Sequence, residues 1–237
     1  MSLSKLSLLA VASTLALGSI AAHADSLTLG KTGDTMTFKF DGQIMNGSAG
    51  NYTPSSAVIG GQTVDFSAVY CVDLNDTIND NHTYNGVTFS TTGVVNNSTV
   101  NNAWEIAYMI LHTTATTPTA QAGLQAAIWE EEYGNAFTLL TPGAIAGDEA
   151  TDLAELNGLN LTLSQENADL ADLDWITPPF TTQDWGKGQT NDYLQGLVGD
   201  PETAGDPPPA VPEPGTLSLL GTGLLGAAGI IRRRLTA

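Results

Sequence analysis

Cys71 is the only cysteine among the 237 residues, in a chain whose first residues are written for export. No internal disulfide can hold such a fold, so its stability must come from a packed core. The export segment is "MSLSKLSLLAVASTLALGSIAAHA", residues 1–24. It has one basic residue, Lys5, an apolar run from Leu6 to Ile20, and small residues leading to an "AHA" cleavage site, which makes it a signal peptide. The body that follows, residues 25–200, is about 180 residues long, enough for one good core or two small, closely packed lobes.

Two periodicities succeed one another in this body. The first half is rich in Thr, Asn, Ser and Gly, and "SLTLG", "TMTFKFDG" and "QTVDFSAVYCVDL" alternate as strands do. Phe38 and Phe40 share one face, and Phe66, Ala68 and Tyr70 share another. "YNGVTFS" adds an Asn-Gly turn before a further strand. The spacing then becomes helical. "STVNNAWEIAYMILHT" sets Trp104, Tyr108 and Leu111 on one stripe with Ile110 close by, and "TTPTAQAGLQAAIWEEEYG" has Thr117 to cap, Pro118 for the first turn and Gly134 to stop. "GDEATDLAELNGL" and "NDYLQGLV" read as a third and a fourth helix, and "LNLTLS" as a return strand. The expected fold class is α+β: an antiparallel β-sandwich or barrel with a mainly helical lobe.

The far end has its own organisation. Residues 201–214 form an acidic, Pro-rich spacer ending in "PPPAVPEP", which suits extended, solvated chain. Residues 215–231, "GTLSLLGTGLLGAAGII", are an uncharged apolar run at the short, Gly-rich limit of a spanning helix, and residues 232–237 are a basic tail that stays on the cytoplasmic side. The stretch "VPEPGTLSLLGTGLLGAAGIIRRR", residues 211–234, resembles the PEP-CTERM sorting signal of Gram-negative bacteria. Pro212, Glu213 and Pro214 precede the hydrophobic helix, and Arg232, Arg233 and Arg234 follow it. The resemblance implies transient insertion in the inner membrane, processing by an exosortase-type enzyme, and release to the cell surface or extracellular matrix, often in organisms that make exopolysaccharide.

Between the two signals only Lys31, Lys39 and Lys187 stand against 25 acidic groups, a net charge of about −22 for the exported body. Such a surface excludes nucleic acid as a partner, and it repels anionic glycans unless divalent ions bridge the charges.

A single exported cysteine can be a buried filler, half of an intermolecular disulfide, or a reactive centre. Along its strand Cys71 shares a face with Val69 and Asp73, while Tyr70 and Val72 take the other. In the second helix Ala122, Gln125 and Trp129 share a face, with Leu124 and Ile128 beside them. A glutamine amide within an apolar stripe must be either hydrogen-bonded or chemically altered.

Together, "YCVD" around Cys71 and "LQAAIW" around Gln125 resemble the two motifs of the Cys-Gln thioester domain of bacterial surface proteins. Gln125, Ala127, Ile128 and Trp129 match the second motif, and Leu124 stands where that family usually has threonine. The resemblance implies a β-sandwich with a helical lobe and a thioester cross-link between Cys71 and Gln125. It also implies covalent attachment to protein amines or polysaccharide hydroxyls, with no enzyme turnover and no cofactor. Tyr70, Trp104 and Trp129 are then the aromatic candidates for shielding the bond from water, with Ala127 and Ile128 packed alongside.

Two other classes compete. A non-covalent, Ca2+-dependent adhesive module would use "DLNDTINDN", where Asp73, Asn75, Asp76, Asn79 and Asp80 offer oxygen ligands, or the acidic "DLADLDW". The first departs from an EF-hand loop at Ile78, where glycine is required, and at Tyr84, where glutamate closes the loop, so no metal residues are assigned. A Cys-His hydrolase would need Cys71 with His82 or His112, and "GxSxG", "HExxH" and "CxxC" are all missing from the sequence.

Overall fold

The computed structural model describes residues 24–202 apart from 160, 180, 185–188 and 193, and gives the backbone alone for 181–184 and 189–192. The signal peptide up to His23, the spacer beyond Glu202, the sorting helix 215–231 and the tail 232–237 lie outside the described residues. Among the described residues no helix is long and apolar enough to cross a membrane.

The alternating first half forms strands β1 (Ser26–Leu29), β2 (Asp34–Phe40), β3 (Gln43–Ala49), β4 (Ser55–Ile59), β5 (Gln62–Cys71), β6 (His82–Asn85), β7 (Thr88–Ser90), β8 (Val94–Val95) and β9 (Ser98–Thr99). Helices α1 (Ala103–His112) and α2 (Pro118–Tyr133) follow, then β10 (Phe137–Leu139), α3 (Ala144–Asn157) and α4 (Leu163–Ala171). The chain returns to strands with β11 (Asp174–Thr177), β12 (Thr181–Asp184), β13 (Gln189–Asp192) and β14 (Leu197–Pro201). The architecture is α+β, as the two periodicities require.

Seven strands make one antiparallel sheet in the order β6-β1-β4-β5-β14-β11-β7. Its two edges, β6 and β7, are consecutive in the chain, with only Gly86 and Val87 between them. A flat sheet of seven strands is ~29 Å across, and the three peptide units from Asn85 to Thr88 span at most about 10 Å. The sheet must therefore curl until its edges approach, which gives a half-barrel. The Asn85-Gly86 turn does not close a hairpin; it carries the chain from one edge of the sheet to the other. A second, three-stranded sheet, β10-β2-β3, lies apart from it.

The helix α2 lies at the centre of the fold. Its N-terminus is built as the sequence predicts: the Thr117 side chain accepts from the Ala120 N–H at 3.1 Å, Pro118 opens the first turn, and Gly134 ends the helix at φ 51°. The eight residues from Ala122 to Trp129 are all buried, the mark of a helix enclosed on every side. Small residues make this possible. A Cβ on Gly123 would lie 2.5 Å from Asp148 Cβ and 3.1 Å from both the Glu149 N and the Ile145 O, all on α3.

Three expectations are corrected. "LNLTLS" is not a return strand: Thr162 begins α4, where its N–H and hydroxyl both donate to Gln165 Oε1 at 3.1 and 2.8 Å. That Thr-x-x-Gln spacing is a capping-box signal, and it outweighs the short alternation. "NDYLQGLV" is not a helix but the end of β13, a link and the start of β14, which pairs Leu197 with Cys71 on β5. Sheet pairing overrides its helical spacing. In α1 the core face is Ile106, Ala107, Met109 and Ile110, so Trp104, Tyr108 and Leu111 sit half-buried at its margin.

The close contact at Gly123 sets a test. Alanine is the better helix former by about 1 kcal/mol, but here its methyl group meets backbone atoms that cannot rotate away. Gly123→Ala is expected to lower stability by about 1–3 kcal/mol, read from urea unfolding midpoints at unchanged denaturant slope.

Candidate functional site

The site begins with an unfinished strand edge. β4 pairs with β5 only as far as Ser55 opposite Phe66, and buried peptide groups beyond that point still need partners. Asn51 supplies the first: its Nδ2 donates to Ser67 O at 3.0 Å, and the Val69 N–H donates to its Oδ1 at 2.8 Å. The Tyr52 N–H then donates to Val69 O at 2.9 Å. At Cys71 a helix takes over. The Cys71 N–H donates to Gln125 Oε1 at 3.0 Å, and Gln125 Nε2 donates to Cys71 O at 2.7 Å. The Gln125 amide thus occupies the place of a neighbouring strand's peptide group and joins α2 to β5.

Both residues are buried, Cys71 at 3 % exposure and Gln125 at 1 %. The Cys71 thiol donates to the Tyr52 hydroxyl at 3.5 Å. Burial pushes this thiol up to about 12, the Tyr52 hydrogen bond pulls it partly back, and the charge of Asp73 adds to the rise. At neutral pH the sulfur is therefore a thiol. The Tyr52 phenol is itself raised, by burial first and then by Cys71.

Asp73, the last residue of "YCVD", secures the end of β5. Its carboxylate accepts from the Asn75 N–H at 2.8 Å, from Asn96 Nδ2 at 3.0 Å and from the Tyr133 hydroxyl at 3.5 Å. The Leu74 N–H donates to the Tyr133 oxygen at 2.9 Å, and Gln195 Nε2 donates to Asp73 O. Three separate parts of the chain converge on this residue, which gives it a structural employment other than a metal ligand. Among the described residues no group of three or more His, Cys, Asp or Glu side chains is placed to hold a metal ion. His82 packs edge-on to Tyr84, while His112 stacks on Tyr108 and lies 3.4 Å from Asp169.

The other sequence candidates fall around this pair in different ways. Trp129, one turn beyond Gln125, packs its ring on Phe38 at 5.1 Å and Phe137 at 5.8 Å, and so seats α2 on the small sheet. Its indole N–H has no acceptor, so it acts through packing. Tyr70 is buried, and alternation gives it the face opposite to Cys71; its phenol is raised by burial first and by Asp152 of α3 second. Ala127 and Ile128 are fully enclosed, and Leu124 is buried in the same core, where a threonine hydroxyl would need a partner. Trp104 is half-buried at the start of α1. The aromatic group that meets the sulfur is Tyr52, which no motif or periodicity singles out, because it stands in the loop between β3 and β4.

An acidic seam lies on the far side of α2. Glu149 of α3 is buried, faces Glu130, and leaves its Oε1 without a partner. Burial first, then Glu130, pushes it up to about 7; burial and then Glu155 and Asp148 push Asp152 up to about 6. On the other side of α2, near Asp73, burial carries Glu132 up to about 8.

Comparison with known proteins bears on one end of the chain. A profile described as the PEP-CTERM protein-sorting motif matches residues 210–234, which include Pro212, Glu213, Pro214 and Arg232 to Arg234. The chain thus carries a signal for export to the surface or extracellular space of a bacterium, and the motif implies processing by an exosortase. No curated protein and no solved structure matches the chain.

Two outcomes follow from the site. Gln125→Ala orphans two buried peptide groups on Cys71 and should cost about 2–5 kcal/mol, measured by denaturant unfolding. The buried carboxylates give a pH slope. Between the ordinary carboxylate range and about 7 to 8, the folded state holds protons on Glu149 and Glu132 that the unfolded chain has released, so stability should fall as pH rises through that window. Glu149→Gln should flatten the fall and raise the melting temperature above pH 7, as followed by thermal melts from pH 4 to 9.

Proposed function

We propose that this exported protein attaches covalently to a partner surface through an internal thioester between Cys71 and Gln125. The observation that carries the reading is the contact itself: a strand and a helix, 54 residues apart in sequence, bring a lone cysteine and a glutamine amide together inside the core. Neither hydrogen bond requires the thiol, and an apolar side chain in place of the cysteine would leave both intact.

The chemistry follows from the two side chains that this contact brings to one place in the core. The Cys71 sulfur attacks Gln125 Cδ, and negative charge develops on Oε1, toward which the Cys71 N–H already points at 3.0 Å. As the intermediate collapses, the Cδ–Nε2 bond breaks, and ammonia leaves with the proton that the thiol gave up. The folded core supplies the effective concentration that the unfolded chain lacks. Departure of Nε2 also removes the donor to Cys71 O, so the closed form keeps one of the two original hydrogen bonds and gains a covalent one. A partner amine or hydroxyl then attacks Cδ, the Cδ–Sγ bond breaks, and the partner is left joined to Gln125 as an amide or ester.

This chemistry needs no cofactor and forms one bond per molecule, so the protein is not a turnover enzyme. Export to the surface supplies the setting, where lysine-bearing surface proteins and hydroxyl-bearing exopolysaccharides of a Gram-negative envelope are the acceptors. Burial of the pair in an apolar core limits hydrolysis.

Intact-mass spectrometry of the full chain tests the proposal. The expected mass is lower than the sequence mass by one ammonia, methylamine should convert this species to an adduct, and Cys71→Ala and Gln125→Ala should show neither change. A full mass with one titratable thiol in freshly folded protein would overturn it and leave the Gln125 contact a structural one.

A further inference from the structure

Resting on the thioester reading, we infer that Tyr52 is the hydrogen-bond donor that stabilises the Cys71 thiolate, both when the thioester closes and when a target nucleophile opens it.

Among the described residues, the hydrogen-bond partner of Sγ is the Tyr52 hydroxyl at 3.5 Å. The Cys71 peptide N–H is committed to Gln125 Oε1. Tyr52 is held there by its backbone: its N–H bonds Val69 O at 2.9 Å, and the Ser55 hydroxyl donates to its carbonyl at 2.5 Å. The ring is buried at 5 % exposure. A buried phenol needs a partner, and a hydroxyl can either accept from S–H or donate to S− without moving its oxygen.

Burial keeps Tyr52 in the donor form. It opposes ionisation most, Cys71 opposes it next through its charge and hydrogen bond, and Asp80 and Tyr84 add to this. The phenol therefore stays protonated while the sulfur cycles between thiol, thioester and thiolate.

One interaction then serves two steps. In closure, hydrogen bonding raises the thiolate fraction tenfold for each unit by which it lowers the thiol, while intrinsic nucleophilicity falls only about threefold. In discharge, the attacking amine forms its bond to Cδ, the Cδ–Sγ electron pair passes to sulfur, and sulfur receives the Tyr52 hydrogen bond and then the proton shed by the amine. A better-stabilised leaving thiolate departs faster.

The test compares full-length wild type, Tyr52→Phe and, as a control, Tyr84→Phe, which removes a hydroxyl that bonds only the Asn79 backbone. Two rates are followed by mass spectrometry: loss of ammonia after refolding, and methylamine uptake by the formed thioester. Tyr52→Phe should slow both by about threefold to tenfold and move the pH profile of closure upward, with Tyr84→Phe near wild type. A second measurement avoids any folding loss in the variant: wild type grown with a fluorinated tyrosine, whose phenol is a stronger donor of nearly the same shape, should run both steps faster. If wild type shows no loss of ammonia, the thioester itself fails. If it does, but Tyr52→Phe matches wild type, Tyr84→Phe is slowed equally, or the fluorinated chain is unchanged, the role of Tyr52 is overturned and the thioester stands.

Discussion

Two peptide groups of Cys71 have no strand to pair with on one edge of β5, and the arrangement around them determines much of the molecule. β4 stops pairing at Phe66, yet β5 continues to Cys71 inside the core. Burying an unpaired N–H and C=O costs several kilocalories per mole, so the edge has to be completed by whatever can reach it. Asn51 and Tyr52 complete the near part, and Gln125 completes the end. The glutamine can do so only because α2 crosses at that height, and α2 is held there from every side: by Trp129 on Phe38 and Phe137, by Gly123 against α3, and by the buried run from Ala122 to Trp129.

The same contact has a structural and a chemical aspect. As structure, it is a side-chain amide standing in for a strand. In the proposed thioester chemistry, the Cys71 N–H is the donor that meets charge developing on Gln125 Oε1. The thiol is well protected in its resting form, because burial raises it far above neutral pH. In the proposed chemistry, reactivity depends on local groups that favour charge on sulfur, and the group in contact with it is a tyrosine from a loop and not a histidine from a helix. Under the proposed thioester, the apolar surroundings that make the thiolate costly would also keep water from the acyl carbon, so slow closure and slow hydrolysis would share one physical origin.

Acidity has a separate consequence. Glu149 and Asp152 of the α2–α3 seam are buried with no basic partner among the described residues, and their protons are held toward the neutral range. A body with three lysines has few cations with which to pair them. Its charge therefore acts against its own compactness as pH rises, and this acidic seam lies on the face of α2 turned away from Cys71.

The sequence alone determined the ends and the local elements. The alternation around Phe38, Phe40 and Phe66, the Thr117-Pro118 start and Gly134 stop of α2, and the sorting motif at residues 210–234 are local signals, carried by neighbouring residues and read without the fold. The motifs also singled out Cys71 and Gln125, and the structure joins them by two hydrogen bonds that depend on how strand and helix cross. Tertiary structure decided what sequence spacing could not report. Tyr52 meets the sulfur because a loop lies along an unfinished strand edge, and "NDYLQGLV" ends in strand because β5 offers it a pairing edge. These outcomes depend on contacts between distant segments, whose pairing free energy exceeds the weak local preferences that sequence periodicity records.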